Sequence, residues 1–425
     1  MTTESPADAA IGAAIARVLR EEHGRVMAAL VAHCGDFAVA EDALQDAFAA
    51  ALEQWSTGDV PARPAAWLVT VARRRIVDQQ RRATAWSARE AAVQHHLDTP
   101  NTLEAADPGD IPDERLRLIF TCCHPAIRER DRVALTLRTL CGLTTEQLAR
   151  AWRVTPATMA QRLVRVQRKI RDAGIPYVVP PASAMVERLD GVLRVVYLVF
   201  NEGYVATDGD DLMRPDLVAE AVRLGRWLVE LLPDEPEVHG LYALMAFHHA
   251  RSPARVADDG AIVPLSDQDR SRWLAPWIRE GMGALRRSAA GGGTGRFRLE
   301  AAISAMHATA PSWATTDHAH IVRLYDALYA LQPDPVIALN RAVARAESDG
   351  PARALAEVQT LADALVDYQP WYAASADLLR RVGQHAAARA RYDEAIERTT
   401  NPRERAFLDR RRRALDASSG ESGGS

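Results

Sequence analysis

Apolar residues recur along most of the chain at intervals of three and four positions, which is the period of an amphipathic α-helix. In the segment that begins at Pro156, for example, Met159, Leu163, Val166 and Ile170 follow this spacing. No run of alternating β-branched residues marks a strand. The pattern therefore predicts an all-α protein.

Breaks in the helical pattern indicate several domains. Residues 90–114 hold seven acidic residues and no lysine or arginine. The stretch IPYVVPP at residues 175–181 is marked by prolines, and the chain ends in ASSGESGGS, which is typical of disorder. We predict a helical block at residues 11–89, an acidic linker at 90–112, a second block at 113–174, a helical region at 184–415 and a disordered tail at 416–425.

Residues 143–171 predict two short helices joined by a tight turn. Thr144 and Gln147 have the spacing of a capping box, which starts a helix. Thr155 suits an N-cap and Pro156 suits the first turn of a second helix. The polar face of that second helix carries Thr158, Gln161, Arg162, Arg165 and Arg168, side chains that can contact base edges or phosphates. This pattern favours a DNA-binding helix-turn-helix over a solvated amphipathic helix.

Two more helices are predicted upstream, one acidic and one basic. AEDALQDAFAAALEQW places Glu41, Asp42, Gln45 and Asp46 on a polar, acidic face, with Ala43, Leu44, Ala47, Phe48, Leu52 and Trp55 directed inward. PAAWLVTVARRRIVDQQRR begins at Pro64 and carries Arg74, Asp78, Arg81 and Arg82 on its polar side. Such a pair can contact a protein partner on one face and nucleic acid on the other.

The C-terminal half shows a weak internal repeat. Tyr372, Gly383, Ala388, Tyr392 and Ala395 fall at spacings that resemble a tetratricopeptide repeat, whose period is about 34 residues. Generic helical hairpins explain the spacing equally well. The loop GGGTG at residues 291–295 is expected to be flexible and not a phosphate-binding loop.

Composition narrows the possible functions. The four cysteines are too few for a disulfide framework and lack metal-site spacing, so we expect buried thiols and no metal or cofactor. No apolar run is long enough to span a membrane, and the N-terminus lacks the form of a signal peptide. We expect a cytoplasmic protein without a membrane partner.

The acidic and basic helices together resemble a known family. AEDALQDAFAAALEQW followed by PAAWLVTVARRRIVDQQRR is similar to region 2 of σ70-family initiation factors of the extracytoplasmic-function (ECF) type, and residues 113–171 resemble region 4. The resemblance implies that Asp42, Gln45 and Asp46 contact the clamp helices of the polymerase β′ subunit. It implies a −10 site at Arg73, Arg74, Asp78, Arg81 and Arg82, and a −35 site at Thr158, Gln161, Arg162 and Arg165.

The rest of the chain resembles the helical extension of one subgroup of these factors, described as tetratricopeptide-like. The runs DGVLRVVYLVFNEGY and DQDRSRW carry that resemblance. Asp267, Asp269, Arg270 and Trp273 of the second run form either a regulatory or interdomain contact or a capped helix start with local ion pairs. Such a scaffold can bind either a regulatory protein or a small ligand.

Three functions compete. The first is a promoter-specificity subunit of RNA polymerase, which has no active site of its own. The second is a one-component regulator with a helical sensor domain, which needs only the helix-turn-helix and not the acidic and basic pair. The third is an enzyme, for which the C-terminal half offers no nucleophile, metal or phosphate signature.

Overall fold

The computed structural model describes residues 11–12, 15, 17–57, 60–90, 114–152, 154–204, 215–257 and 259–420. The predicted acidic linker at 90–112 lies outside these residues apart from Glu90. The described residues form helices and one isolated β-bridge, between Val256 and Ile262. The all-α prediction is confirmed.

The chain divides into two compact units, Met1–Val195 and Val196–Ser425. The proline-marked stretch at 175–181, predicted as a linker, lies within the first unit. Ile175 is buried, and the hydroxyl of Tyr177 donates to the carbonyl of Ala28 at 2.9 Å. The prolines stop a helix there, but these contacts hold the stretch against the first unit.

Three helices begin the first unit. After a π-helical turn at Val18–Glu22 come α1 (His23–Cys34), α2 (Phe37–Thr57) and α3 (Pro64–Glu90). Gly35 ends α1 with a left-handed φ of 70°. Asp36 then starts α2, since its Oδ1 accepts from the backbone N–H of Ala38 at 2.8 Å. The prediction that Leu52 of α2 packs inward is wrong, because this residue is 57% exposed and lies outside the core.

Four shorter helices complete most of the first unit: α4 (Arg115–Cys122), α5 (Glu129–Thr139), α6 (Thr145–Ala151) and α7 (Pro156–Asp172). Both side chains of the predicted capping box are engaged: Gln147 N–H donates to Thr144 Oγ1 at 3.2 Å, and Thr144 N–H donates to Gln147 Oε1 at 2.7 Å. Thr155 caps α7 as predicted. The apolar face of α7 is buried at all four predicted positions.

The next helix, α8 (Ala182–Tyr204), begins within the first unit. Arg188 donates from Nη2 to the carbonyl of Phe120, near the end of α4, at 2.7 Å, and its guanidinium lies over the Phe120 ring. Arg194 pairs with Glu129 of α5 at 3.2 Å. Residues predicted to belong to the C-terminal extension therefore pack on the helix-turn-helix module.

The second unit consists of helices joined mostly by short connections. They are α9 (Pro215–Leu231), α10 (Pro236–Ala250), α11 (Ala275–Ala290), α12 (Arg296–Thr309), α13 (His318–Leu331), α14 (Pro335–Ser348), α15 (Pro351–Gln359), α16 (Gln369–Arg381), α17 (His385–Arg398) and α18 (Pro402–Gly420). Helix α10 is buried along nearly its whole length, because α9, α11 and α12 all pack on it.

Two hairpins in this unit are related by a constant offset. The pair α14–α15 begins at Pro335 and Pro351, and the pair α16–α17 begins 34 residues later in each case, at Gln369 and His385. Tyr372, Ala388, Tyr392 and Ala395 are buried in one core. Gly383 turns the second hairpin with a φ of 81°.

The prediction of a disordered tail needs revision. Helix α18 extends to Gly420, five residues into the segment predicted to be disordered, while 421–425 lie outside the described residues. In the GGGTG loop, Gly295 lies directly against the carboxylate of Glu237, where a Cβ would approach Cδ to 2.1 Å. Glu237 accepts from the backbone N–H groups of Phe297 and Arg298 at 2.8 and 3.1 Å, so a protein carboxylate already occupies the start of α12.

Candidate nucleic-acid interface

The predicted base-reading face of α7 is largely open to solvent. Thr158, Gln161 and Arg165 are exposed. Arg162 is only 28% exposed, and its Nε pairs with Asp131 of α5 at 3.5 Å. Three of the four predicted −35 residues are thus accessible, and the fourth is held at the edge of the face by a carboxylate.

A groove lies beside this face, between the start of α5 and α7. We call it the α5–α7 groove; its volume is about 770 Å³. Five cationic side chains line it together with two acidic ones: Arg128, Arg130, Arg162, Arg165 and Lys169, with Glu129 and Asp131. Arg128, Arg130 and Lys169 were not among the predicted site residues. Arg128 and Arg130 lie outside the helix-turn-helix pattern.

The predicted polymerase contact lies on the exposed side of α2. Asp42, Gln45 and Asp46 are exposed, and Phe48 and Trp55 lie inward, Phe48 half-buried and Trp55 buried. The same acidic residues line a groove of about 620 Å³ together with Arg75, Gln79 and Arg82 of α3. The acidic and basic helices therefore share one cleft, and Arg75 faces the acids.

The predicted −10 residues of α3 divide into two groups. Arg74, Asp78, Arg81 and Arg82 are exposed, and Arg82 Nε donates to the Asp78 carbonyl at 3.2 Å. Arg73 is half-buried near His33, where burial first and the Arg73 charge second lower the pKa of that imidazole. Trp67 is half-buried and packs edge-on against the buried Trp55, with ring centroids 5.3 Å apart.

The structure also joins the two predicted DNA-binding modules, which sequence analysis did not foresee. Arg138 Nε lies 3.2 Å from Glu41 Oε1, and both side chains are about four-fifths buried, with exposed fractions of 19% and 18%. Gln167 of α7 donates to the second oxygen of Glu41 at 3.4 Å. Arg171 pairs with Asp36 at 3.0 Å. No sequence pattern relates residues so far apart, so geometry alone could reveal this contact.

The DQDRSRW residues form local contacts in the second unit. Asp269 caps a 3₁₀ turn by accepting from Ser271 N–H at 2.9 Å. Arg270 donates to the carbonyls of His307 and Ala310 at the end of α12 and lies over the Trp273 ring at 4.9 Å. Trp273 is buried, and exposed Asp267 lies 4.0 Å from Arg411. Asp269 thus caps a turn, and the contacts of Asp267, Arg270 and Trp273 lie within the second unit.

The remaining candidate chemistry is sparse. Burial raises the pKa of the Cys123 thiol to about 11, and Cys122 and Cys141 are also buried. Among the residues that the structure describes, no three His, Cys, Asp or Glu side chains cluster as a metal site would require. In that same part of the chain, each helix is too short or too polar to cross a lipid bilayer.

Comparison with known proteins assigns two segments. Residues 18–85 match the σ70 region 2 family, and residues 188–289 match DUF6596, a family of unknown function. A protein of Rhizobium meliloti (strain 1021) described as uncharacterized is 39% identical over 387 residues, which are 90% of this chain and 92% of that protein. No solved structure matches.

Relatives with named roles come from Mycobacterium tuberculosis. The ECF RNA polymerase sigma factor SigL is 32% identical over 168 residues, which are 38% of this chain and 90% of SigL. The probable ECF RNA polymerase sigma factor SigI is 28% identical over 181 residues, 42% of this chain and 59% of SigI. With region 2 matched and nearly the whole of SigL covered, the chain belongs to the ECF group of the σ70 family of RNA polymerase sigma factors.

Proposed function

We propose that this protein is an alternative sigma factor that directs core RNA polymerase to specific promoters and performs no chemistry of its own. The observation that carries the proposal is the pairing of two surfaces in one unit. One is the exposed acidic side of α2 beside the basic α3, and the other is the doubly capped helix-turn-helix with an exposed polar face. A one-component regulator needs only the second.

Each surface has a role that its chemistry supports. Helix α7 lies in the major groove of the −35 element, where Thr158, Gln161, Arg162 and Arg165 contact base edges or phosphates. The exposed α3 residues Arg74, Asp78, Arg81 and Arg82 hold the unpaired strand at the −10 element through its backbone charge and extruded bases. Arg73 is half-buried near His33 and is less accessible to DNA than the other four.

The acidic side of α2 docks on the clamp helices of the β′ subunit. Asp42, Gln45 and Asp46 form a charged rim over the half-buried Phe48, an arrangement that suits helix-to-helix docking. Holding the polymerase and the promoter at once brings the catalytic subunits to a defined start site. The protein therefore acts by positioning the polymerase on the promoter and by binding some promoter sequences more tightly than others.

The second unit is proposed to be a tetratricopeptide-like domain that modulates this activity. The 34-residue offset between the two hairpins supports the repeat, since tetratricopeptide units have that period. Stacked helical hairpins present extended surfaces to protein or peptide partners. The regulatory partner is accordingly a protein or a small ligand that binds this unit.

Association with core polymerase tests the proposal. The full chain and the double variant Asp42→Arg, Asp46→Arg are mixed with core enzyme and separated by size. Wild type should co-elute with the core, and the charge reversal should weaken association at least tenfold because two rim charges become repulsive. The matched control reverses two exposed acids of the second unit, Asp363→Arg and Asp367→Arg. Equal association of all three proteins would contradict the assigned surface.

A further inference from the structure

We propose that a cavity between α8 and the start of α5 binds a small zwitterion of the amino acid class. The cavity, which we call the α8 cavity, has a volume of about 250 Å³. Three arginines and three acids line it: Arg132, Arg188, Arg194, Glu129, Glu187 and Asp190. All six belong to the first unit, so this site is separate from the regulatory partner proposed for the second unit.

Two arginines of the cavity form no ion pair with any described residue. Arg132 donates from Nε to the carbonyl of Ile127 at 2.7 Å and from Nη2 to the carbonyl of Pro125 at 3.1 Å. Arg188 donates from Nη2 to the carbonyl of Phe120 at 2.7 Å, and its buried Nε makes no hydrogen bond within the described structure. Because a guanidinium fork matches the two oxygens of a carboxylate, this pair favours a ligand with a carboxylate.

The acids of the cavity supply the opposite charge. Glu129 and Arg194 pair with each other at 3.2 Å and largely cancel. Glu187 and Asp190 are exposed, and neither forms an ion pair in the part of the chain that the structure describes. A carboxylate accepts hydrogen bonds from an ammonium group. Two guanidinium groups and two carboxylates thus match a ligand with one charge of each sign, whereas a polyanion or a polyamine would be repelled by one of the two pairs.

The volume of the cavity limits the size of the ligand. Pockets for drug-sized ligands hold about 300–1,000 Å³, and the α8 cavity is smaller than that range. A nucleotide or a folded peptide segment is therefore too large. Pro125 and the aliphatic stems of the arginines add apolar surface, which suits a small side chain.

A glycine in the middle of α8 keeps the cavity open. Glycine is unfavourable in a helix interior, so its presence needs a reason. At Gly203 the reason is packing, since a Cβ there would lie 2.6 Å from the backbone nitrogen of Val218. At Gly191 a Cβ would come no nearer than 3.8 Å, to Arg132 Nη1 and the Cys123 carbonyl, which is an ordinary contact distance. Both of these residues line the cavity, so a side chain at 191 would take ligand space without a clash.

Calorimetric titration of the full chain with each of the twenty L-amino acids tests the site. At least one amino acid should bind and raise the unfolding temperature as its concentration rises. Acetate, inorganic phosphate and ethylamine each carry charge of one sign only. Each should bind at least about tenfold more weakly than the best amino acid, because it engages only one of the two charged pairs. Acetate or phosphate that binds as tightly would indicate a plain anion site and overturn the inference.

Substitutions of the glycine distinguish a blocked cavity from a misfolded chain. Gly191→Ala should raise the unfolding temperature of the unliganded chain, since alanine favours the helix, yet weaken ligand binding. Gly191→Leu should abolish detectable binding, because its side chain fills more of the cavity. The matched control is Gly283→Ala in α11, where a Cβ would meet only Arg287 Nη1 at 3.8 Å. It should raise the unfolding temperature and leave binding unchanged.

Removal of the two unpaired acids tests the ammonium half of the site. The double variant Glu187→Gln, Asp190→Asn should weaken amino acid binding about tenfold and leave acetate binding no weaker. Unchanged affinity in this variant or in Gly191→Leu, or no binding by any of the twenty amino acids, overturns the inference. A chain that binds an amino acid here but never associates with polymerase would keep the inference and reject the sigma-factor function.

Discussion

Arg162 stands between two partners, the carboxylate of Asp131 at 3.5 Å and the DNA that the polar face of α7 would meet. With an exposed fraction of 28%, it is too buried to act as a freely moving surface cation. The ion pair fixes its guanidinium near the edge of the reading face. Such preorganisation lowers the ordering cost of a base contact when DNA arrives.

Replacing this arginine should affect sequence preference. Arg162→Ala should weaken promoter binding by about 1–3 kcal/mol, which is the scale of one base-edge contact, and relax discrimination at one −35 position. Competition between promoter variants, with polymerase present, measures both effects. Asp131→Asn, which frees the arginine, should change discrimination less than Arg162→Ala. Unaltered promoter choice in the alanine variant would show that the side chain is structural.

Two histidines whose ring Nδ1 atoms are buried make the second unit sensitive to acid. Burial, then Arg251, His318 and Arg270, lowers the pKa of His307 to about 4, and burial, then Arg251, Arg255 and His307, lowers that of His248 to about 3. The unfolded chain, with a histidine pKa near 6.5, takes up protons first as the pH falls. Stability is therefore full above about pH 6.5 and decreases as the pH drops towards about 4.

Thermal unfolding of the full chain between about pH 7.5 and pH 5 measures this decrease. The variant His307→Asn cannot take up the proton, so its unfolding temperature should fall less over that range. His385→Asn, at the start of α17 and outside the cluster, is the control. An equal fall in all three proteins would mean that the buried imidazoles do not contribute.

At the scale of elements, the first half of α8 is part of the helix-turn-helix module. Arg188 satisfies the carbonyl of Phe120 at 2.7 Å near the end of α4, where helix carbonyls lack partners within the helix. Arg188→Ala should reduce local stability by about 1.5–3 kcal/mol, the range for hydrogen bonds to charged groups. Hydrogen exchange should then accelerate in α4 and α8. Arg194→Ala removes an exposed pair and should leave exchange there nearly unchanged.

Elements defined by local chemistry were predictable from sequence. The caps at Thr144 and Thr155 and the buried stripe of α7 depend on neighbours within a few residues, so spacing alone determines them. Contacts between distant segments were not predictable from the sequence. The prolines near Tyr177 correctly marked a helix end, but only the packing of Tyr177 on Ala28 shows that the stretch stays within the first unit. The Glu41 contact with Arg138 was invisible for the same reason.

At the scale of the whole first unit, α7 contacts α2 through Glu41 and Asp36. The promoter elements that α3 and α7 are proposed to hold lie about 25 base pairs apart, or roughly 85 Å of duplex. Helix α2 packs against both α3 and α7, and a unit this compact cannot reach both elements. The unit must therefore open when the protein joins polymerase and promoter.

Energy transfer between labels on α2 and α7 measures this opening. Exposed Ala49→Cys and Ala160→Cys are labelled in a Cys34→Ser background, since the other three thiols are buried. Transfer should be high in the free chain and low in the promoter complex. Labels placed at two positions within α7 serve as the control. High transfer that persists in an active promoter complex would contradict the opening.

Run-off transcription measures promoter-specific initiation itself. Core polymerase, the full chain and a genomic library of promoter fragments are combined with no other sigma factor present. RNA should start at defined sites, and it should disappear when Asp42 and Asp46 are reversed in charge. Core enzyme that gains no specific initiation from the chain, while the chain still binds duplex DNA, would contradict the account and identify a one-component regulator instead.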